Sequence, residues 1–165
     1  MSGGPGTPGG DAGASPHDRP GDDAGEWYAG GLRFACTSCG NCCTGPEGAV
    51  WVDEREIEVL AARLGLEPHV FVERYTRRLG RRRSLTERRT EHGFDCIFLD
   101  RTSVPGKAIC GVYEARPTQC RTWPFWPELL ESPEAWEQAR RDTPCPGMGQ
   151  GPLIPIEQIR ISRDA

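Results

Sequence analysis

The clearest helical pattern in the chain lies between Val50 and Gly65, in the stretch VWVDEREIEVLAARLG. Its apolar residues recur at i, i+3, i+4 and i+7 and would therefore share one helix face: Ile57, Leu60, Ala61 and Leu64. Asp53 followed by Glu56 predicts a capping box at the start of this helix. Gly65 predicts its end.

A second helix is predicted to begin at Pro68, because proline is favoured in the first turn. Phe71 and Tyr75 lie one turn apart and would form its inner face. Both helices are interpreted as structural.

Short strands joined by turns are predicted in two later stretches, SLTERRTEHGFDCIFLD and KAICGVY. Gly93 and the Pro105-Gly106 pair mark the turns. This pattern places Cys96 at the start of an apolar strand and Cys110 at the end of the next. Both could thereby face the cysteines earlier in the chain.

The N-terminal stretch differs sharply in composition from the rest. Residues 1–25 hold eight Gly and four Pro and have no large apolar side chain beyond Met1. Such a segment cannot bury enough surface to offset its ordering entropy. We therefore predict a disordered tail over residues 1–26 and one domain over 27–165. The whole chain has 36% apolar residues and 15 prolines, so the domain should be a small, loop-rich α+β fold organised around a cysteine-bound metal centre.

The formal net charge of −4 argues against nucleic acid as a partner. There is no basic and apolar leader pattern at the N-terminus, and no apolar run is long enough to cross a bilayer. We therefore expect a cytoplasmic protein without membrane attachment.

The most informative feature is the segment CTSCGNCC, which holds four of eight cysteines. The full set is Cys36, Cys39, Cys42, Cys43, Cys96, Cys110, Cys120 and Cys145. Four disulfides are the simplest alternative. Reduced cytosolic thiols and the strain of bridging adjacent cysteines argue against it. Thiolates are soft ligands for zinc or iron–sulfur clusters, so metal binding is favoured.

The identity of the metal stays open. A zinc site built from two Cys-x2-Cys knuckles would need a second knuckle, and the later cysteines are single. The spacing of Cys36, Cys39 and Cys42 is that of a ferredoxin-type run, and Cys145-Pro146 matches its remote ligand. Zinc could use the same sulfurs. Cys43 should point away from Cys42 if the chain is extended there, which leaves two alternatives: two centres, or one centre with several buried free cysteines.

Eight arginines lie between residues 74 and 89, against a single lysine, Lys107, in the whole chain. They could form a docking patch for an acidic partner or nucleic acid. A solvated face is favoured, because the domain is not basic and no aromatic residues are interleaved to stack bases.

A second dense stretch, YEARPTQCRTWPFWPELL, surrounds Cys120. Arg116 and Arg121 are candidate cofactor-binding residues, because positive charge would stabilise nearby thiolates. Its aromatic residues should pack in the core or exclude water from the metal centre: Trp123, Phe125 and Trp126. Histidine ligands, His69 or His92, are not needed where thiols suffice.

Four segments in this order resemble the YkgJ-like cysteine cluster proteins: CTSCGNCC, DCIFLD, CGVYEARPTQCRTWPFW and CPGMGQG. The likeness runs from about Cys36 to Gly151. It implies zinc or iron chelation, or iron–sulfur binding, by the four N-terminal cysteines, with the other four as recurrent family cysteines.

The favoured function is therefore a metal-binding carrier, sensor or scaffold whose protein partner is unknown. One alternative is an iron–sulfur redox or modifying enzyme. It is disfavoured because no nucleotide loop, metalloprotease helix or nucleophile elbow is present. The other is a structural zinc protein that docks a macromolecule through its arginines.

Overall fold

A computed structural model describes residues 25–165. The predicted tail lies outside the described residues except for its last two positions. At that boundary, Glu26 accepts hydrogen bonds from Arg160 and Arg163 near the C-terminus.

Six α-helices are present in the described part of the chain. They are α1 (Glu54–Leu64), α2 (Pro68–Tyr75), α3 (Thr118–Thr122), α4 (Pro127–Leu130), α5 (Pro133–Asp142) and α6 (Ile156–Arg163). The predicted capping box is confirmed, because the Asp53 side chain accepts from the Glu56 amide and the Glu56 side chain accepts from the Asp53 amide. Gly65 ends α1 in the left-handed conformation. The second predicted helix is confirmed from Pro68, with Phe71 buried and its ring 5.4 Å from that of Tyr75.

Eight short strands form four antiparallel pairs within residues 25–165. They are β1 (Leu32–Phe34) with β8 (Met148–Ile154), β2 (Thr76–Leu79) with β3 (Arg82–Leu85), β4 (Glu87–Thr90) with β5 (Gly93–Cys96), and β6 (Leu99–Asp100) with β7 (Ile109–Cys110). The prediction that Cys96 begins a strand is wrong. Cys96 ends β5, because Ile97 and Phe98 form the turn into β6. Cys110 ends β7, as predicted.

The buried side chains form two apolar clusters. The first cluster joins the N-terminal segment, α4, α5, β8 and α6, with members such as Tyr28, Trp136 and Ile159. The second cluster joins α1, α2 and the middle strands, with members such as Leu60, Phe71 and Val112. Short helices and small antiparallel sheets around these clusters confirm the α+β class. No helix among the described residues is long and apolar enough to cross a membrane.

Candidate metal centre

One cavity, of about 80 Å³, brings together six of the eight cysteines. Its walls contain side chains of both apolar clusters, including Phe98, Val112 and Trp123. The six thiol-bearing residues on these walls are Cys36, Cys42, Cys43, Cys96, Cys110 and Cys120. Three of the four later cysteines, Cys96, Cys110 and Cys120, therefore line the same cavity as Cys36, Cys42 and Cys43. We call this space the cysteine cavity.

Four separate parts of the chain deliver these thiols. The loop before α1 supplies Cys36, Cys42 and Cys43. Cys96 is the last residue of β5 and is paired with Glu87. Cys110 is the last residue of β7 and is paired with Leu99. Cys120 lies in the middle of α3. No local motif could assemble these positions, so the site depends on tertiary packing.

The cysteine loop turns tightly at two residues with positive φ. Ser38 has φ of 55° and Gly40 has φ of 76°. A Cβ atom at Gly40 would lie only 2.5 Å from that of Ala108, so the loop and the segment before β7 approach as closely as glycine allows. The Ala108 amide also donates to the Ser38 carbonyl at 2.9 Å. The glycine in CTSCGNCC thus holds the cysteine loop against the strands that carry the later thiols.

The neighbours Cys42 and Cys43 direct their sulfurs to the same place, with the two Sγ atoms 3.6 Å apart. The extended chain that would make Cys43 point away from Cys42 is not present, because Asn41–Cys43 form a 3₁₀ turn. Successive side chains in a 3₁₀ turn are rotated by about 120° instead of the 180° of a strand. Two sulfurs of a tetrahedral zinc site, with Zn–S near 2.3 Å, lie about 3.8 Å apart. The Cys42 and Cys43 sulfurs are therefore close to the spacing of two ligands on one metal ion.

This pair also concentrates negative charge in the cavity. The hydrogen bond from Cys43 lowers the pKa of Cys42 to about 7, with a smaller contribution from the Arg116 guanidinium. The same hydrogen bond and burial raise the pKa of Cys43. Because the two thiols then share the remaining proton, the pair is about half ionised at neutral pH and carries a single negative charge when ionised.

Three of the other cavity thiols, those of Cys96, Cys110 and Cys120, are held in their protonated form. Burial raises the pKa of Cys96 to about 11 and that of Cys120 to about 12, and neighbouring sulfurs add to both shifts. Burial also raises the pKa of Cys110. Such thiols ionise readily only when a cation replaces the proton, so metal binding here would release protons.

The two candidate cofactor-binding arginines occupy different positions. Arg116 lines the cysteine cavity and stacks its guanidinium 3.7 Å from the centre of the Tyr113 ring. Arg121 is exposed, outside the cavity walls, and donates to the Arg116 carbonyl and the Thr118 hydroxyl. Arg116 is therefore placed to act on the thiols directly, whereas Arg121 braces the loop that carries Arg116.

The aromatic residues after Cys120 divide between core and cavity. Phe125 is buried in the first cluster and stacks on Trp136. Trp123 and Trp126 line the cysteine cavity, with ring centres 4.9 Å apart. The Nε1 of Trp123 is buried and has no hydrogen-bond partner in the described structure. A thiolate or a sulfide in the cavity is the kind of acceptor that this donor lacks.

Cys39 and Cys145 lie outside the cavity walls. Cys145 is a buried member of the first cluster, and Cys39 packs against that cluster. Burial, with a contribution from the nearby Cys39 sulfur, raises the pKa of Cys145. The four cysteines of the predicted ferredoxin-type grouping therefore do not line one site. Cys36 and Cys42 line the cavity, whereas Cys39 and Cys145 lie close to each other outside it.

Several residues around the thiols were missed by sequence reasoning. Gln119, next to Cys120, accepts from the Trp51 amide and donates to the Ala49 carbonyl, which ties α3 to the segment before α1. Tyr113 was likewise unassigned. A lone glutamine or tyrosine carries no spacing pattern that marks it. The two histidines that the sequence analysis considers unnecessary as metal ligands, His69 and His92, are exposed, and neither lines the cavity.

The donor set fits a thiophilic metal in its chemistry. All eight cysteines are free thiols, and six meet at a largely apolar space. Within residues 25–165, however, no three Cys, His, Asp or Glu side chains already converge as metal ligands.

No solved structure matches this chain. A family model matches residues 35–146, which include all eight cysteines and more than half of the chain; its description reads "CxxCxxCC: Putative zinc- or iron-chelating domain". This match confirms the resemblance that the cysteine and arginine motifs predict, and it supports binding of zinc or iron. The chain belongs to the CxxCxxCC family.

Proposed function

We propose that this chain is a cytoplasmic metal-binding module that holds zinc or iron through thiolates of the cysteine cavity and serves as a carrier, sensor or scaffold. The observation that carries the proposal is the convergence of six cysteines, from four parts of the chain, on one small cavity. Free thiols throughout the described residues suit a reducing compartment.

The residues of the cavity have different roles in metal binding. The Cys42–Cys43 pair is partly ionised at neutral pH and is the expected first contact for a cation. Cys96, Cys110 and Cys120 then complete the ligand set as their protons leave. Arg116 offsets the negative charge of the resulting thiolates, and the Trp123 and Trp126 rings limit access of water.

Cys39 and Cys145 remain predicted ligands of the wider set of eight. Their position outside the cavity favours a ligand set drawn mainly from the other six cysteines. Four thiolates saturate a tetrahedral zinc ion. Any two cavity cysteines left over could be replaceable ligands, which is what a carrier or sensor needs in order to release its metal.

A second candidate is an iron–sulfur redox or modifying enzyme. Six thiols in a mostly apolar cavity exceed the requirement of one zinc ion and are compatible with a polynuclear iron centre, whose potential depends on burial and on hydrogen bonds to sulfur. No reaction is assigned.

The experiment is anaerobic purification followed by measurement of zinc, iron and acid-labile sulfide per chain, with the optical spectrum. Zinc without colour supports a zinc module, whereas iron with sulfide and visible charge-transfer absorption supports the second candidate. A preparation without stoichiometric metal would refute both.

Matched variants test the proposed ligand set. We expect C120S and C42S each to lose at least half of the bound metal, because they remove sulfurs from the cavity. C145S, outside the cavity, should retain most of the metal. Circular dichroism checks that each variant is folded. Loss of metal from C145S together with full retention in C42S and C120S would contradict the assignment.

A further inference from the structure

The hairpin formed by β2 and β3 carries five arginines, and the structure separates those that are used internally from those that are not. Arg77 is paired with Glu47 at 2.7 Å and with Glu87 at 2.6 Å. Arg83 donates to the Thr76 hydroxyl. These two arginines therefore hold the hairpin in place rather than forming the solvated face that the sequence favours.

The remaining arginines of the hairpin point their charge outward. Arg82 lies over the Trp51 ring, 4.0 Å from its centre. Arg78 and Arg81 are exposed and have no hydrogen-bond or ion-pair partner within residues 25–165. Unpaired guanidinium groups present planar forks of donors that match carboxylates in bidentate geometry.

These side chains form one wall of an open groove with a volume of about 840 Å³, here called the arginine groove. Residues of α3, including Thr118 and Thr122, form part of the groove. Gln119 and Trp126 line both the groove and the cysteine cavity. A ligand in the groove would therefore contact residues that also form the wall of the proposed metal site.

The acidic residues of the groove favour a polypeptide over a nucleic acid as its ligand. Asp53 and Glu56 are engaged in the capping box, and Glu56 also accepts from the Thr118 amide. Glu54 and Glu128 are exposed on the groove. A nucleic acid, with a phosphate at every residue, would bring charge against these carboxylates. A polypeptide can place separate carboxylates on the arginines and leave neutral backbone elsewhere.

We propose that the arginine groove binds an extended acidic segment of a protein partner, with side-chain carboxylates on Arg78 and Arg81. This binding is an additional property of the chain and does not depend on which metal the cavity holds. It supplies a physical route by which a partner could sense or receive the contents of the cavity through Gln119 and Trp126.

The test is fluorescence anisotropy with the full chain as purified and a fluorescein-labelled dodecapeptide of alternating Glu and Gly. We expect saturable binding that weakens as salt rises from 50 to 500 mM, in the manner of exposed charge pairs. The same peptide with Gln in place of Glu should bind at least tenfold more weakly. A labelled 12-nucleotide single-stranded RNA should bind more weakly than the acidic peptide.

The matched variants are R78A/R81A and R140A/R141A, which each remove two exposed arginines. We expect R78A/R81A to weaken peptide binding about tenfold or more, since it removes two charge-assisted contacts. R140A/R141A, on α5 away from the groove walls, should stay within twofold of the wild type. R81E provides a second variant at an exposed position and should also weaken binding.

Three results would overturn the proposal. One is the absence of peptide binding at low salt. Another is an equal loss of peptide affinity in the two double variants, which would show that binding depends only on the net charge of the chain. The third is tighter binding of the RNA, which would make the groove a nucleic-acid interface. The metal content of the same samples is also measured. A failure of peptide binding can then be distinguished from a failure of the metal-binding proposal.

Discussion

Trp123 combines two features that seldom occur together in a folded core. Its ring lines the cysteine cavity, and its buried Nε1 has no hydrogen-bond partner in the described structure. A buried donor without a partner costs about 1–3 kcal/mol. A thiolate produced by metal binding is a suitable acceptor, so the unpaired donor is explained if the cavity becomes anionic when it is loaded.

We predict that W123F releases bound metal to a chromogenic chelator several-fold faster than the wild type. Phenylalanine keeps the aromatic bulk but removes the N–H donor, and loss of such supporting hydrogen bonds typically weakens metal binding 10–100-fold. The measurement is the rate of chelator colour formation by stopped flow.

The control is W27F. Trp27 packs against the first cluster, and its Nε1 already donates to the Leu130 carbonyl at 2.8 Å. It does not line the cavity. Equal release rates in W123F and wild type, or equal acceleration in both variants, would argue against the proposed role of the indole donor.

The strands that carry cavity cysteines are secured by a buried ion pair between elements. Asp95 in β5 is 1% exposed and receives two hydrogen bonds from Arg101, at 2.9 and 3.0 Å. Arg101 follows β6 directly. The pair therefore joins the strand that ends at Cys96 to the end of its neighbour, across the turn at Ile97 and Phe98.

We expect R101M to destabilise the fold by about 3 kcal/mol, because it leaves the buried Asp95 carboxylate without its cation. Urea unfolding at pH 7 measures the change. R89M is the control, since Arg89 in β4 is exposed and surface substitutions usually stay within about 0.5 kcal/mol. Similar losses in both variants would show that the ion pair is not the cause.

The same pair predicts how stability depends on acid. Hydrogen bonding from Arg101 lowers the pKa of Asp95 to about 2 in the folded protein, against about 3.9 when unfolded. Because the folded pKa is depressed, this contribution is present above pH 4 and is lost as the pH falls towards 2. It amounts to about 2–3 kcal/mol.

D95N should remove this part of the acid dependence. We expect the wild type to lose stability more steeply than D95N between pH 4 and pH 2, as followed by urea unfolding at fixed ionic strength. Parallel curves for the two proteins over that interval would contradict the assignment to Asp95.

At the scale of the whole molecule, the cysteine cavity adjoins both apolar clusters. Cys96 and Cys110 pack against the second cluster, and Trp123 packs against the first. A metal ion bound by cavity thiolates would therefore connect elements from both halves of the core. Binding of zinc by structural thiolate sites can reach about 10–16 kcal/mol, which is comparable to the total stability of a domain.

We predict that removal of the metal lowers the melting temperature strongly or unfolds the chain. The experiment is anaerobic chelation and dialysis in the presence of a phosphine reductant, followed by circular dichroism and thermal melting. Adding back the metal found in the purified protein should restore the signal. Unchanged spectra and melting after complete removal would show that the two clusters hold the fold alone.

Some features of this protein could be predicted from local residue order. The capping box of α1 and its stop at Gly65 depend on neighbours within one turn, so Asp53, Glu56 and Gly65 were sufficient. The family assignment likewise rests on the cysteine spacing and the Arg-Pro-x-x-Cys-Arg segment, which the match over residues 35–146 confirms. In such cases the contacts that matter lie within a few residues.

Other features depended on backbone conformation that composition does not reveal. A 3₁₀ turn in place of an extended segment redirected Cys43 towards Cys42. A tight turn after Cys96 placed this residue at the end of its strand. Arg121, close to Cys120 in sequence, faces away from the cavity because a residue next to another on a helix points in a different direction.

The sequence by itself determined the supply of thiols, the helices with strong local capping and the α+β class, because those follow from residue type and short-range periodicity. Only the tertiary structure decided which sulfurs share a space, separating six cavity cysteines from Cys39 and Cys145. It also decided that the arginine groove adjoins that space. Both are long-range arrangements set by the packing of the two apolar clusters, and no spacing along the chain encodes them.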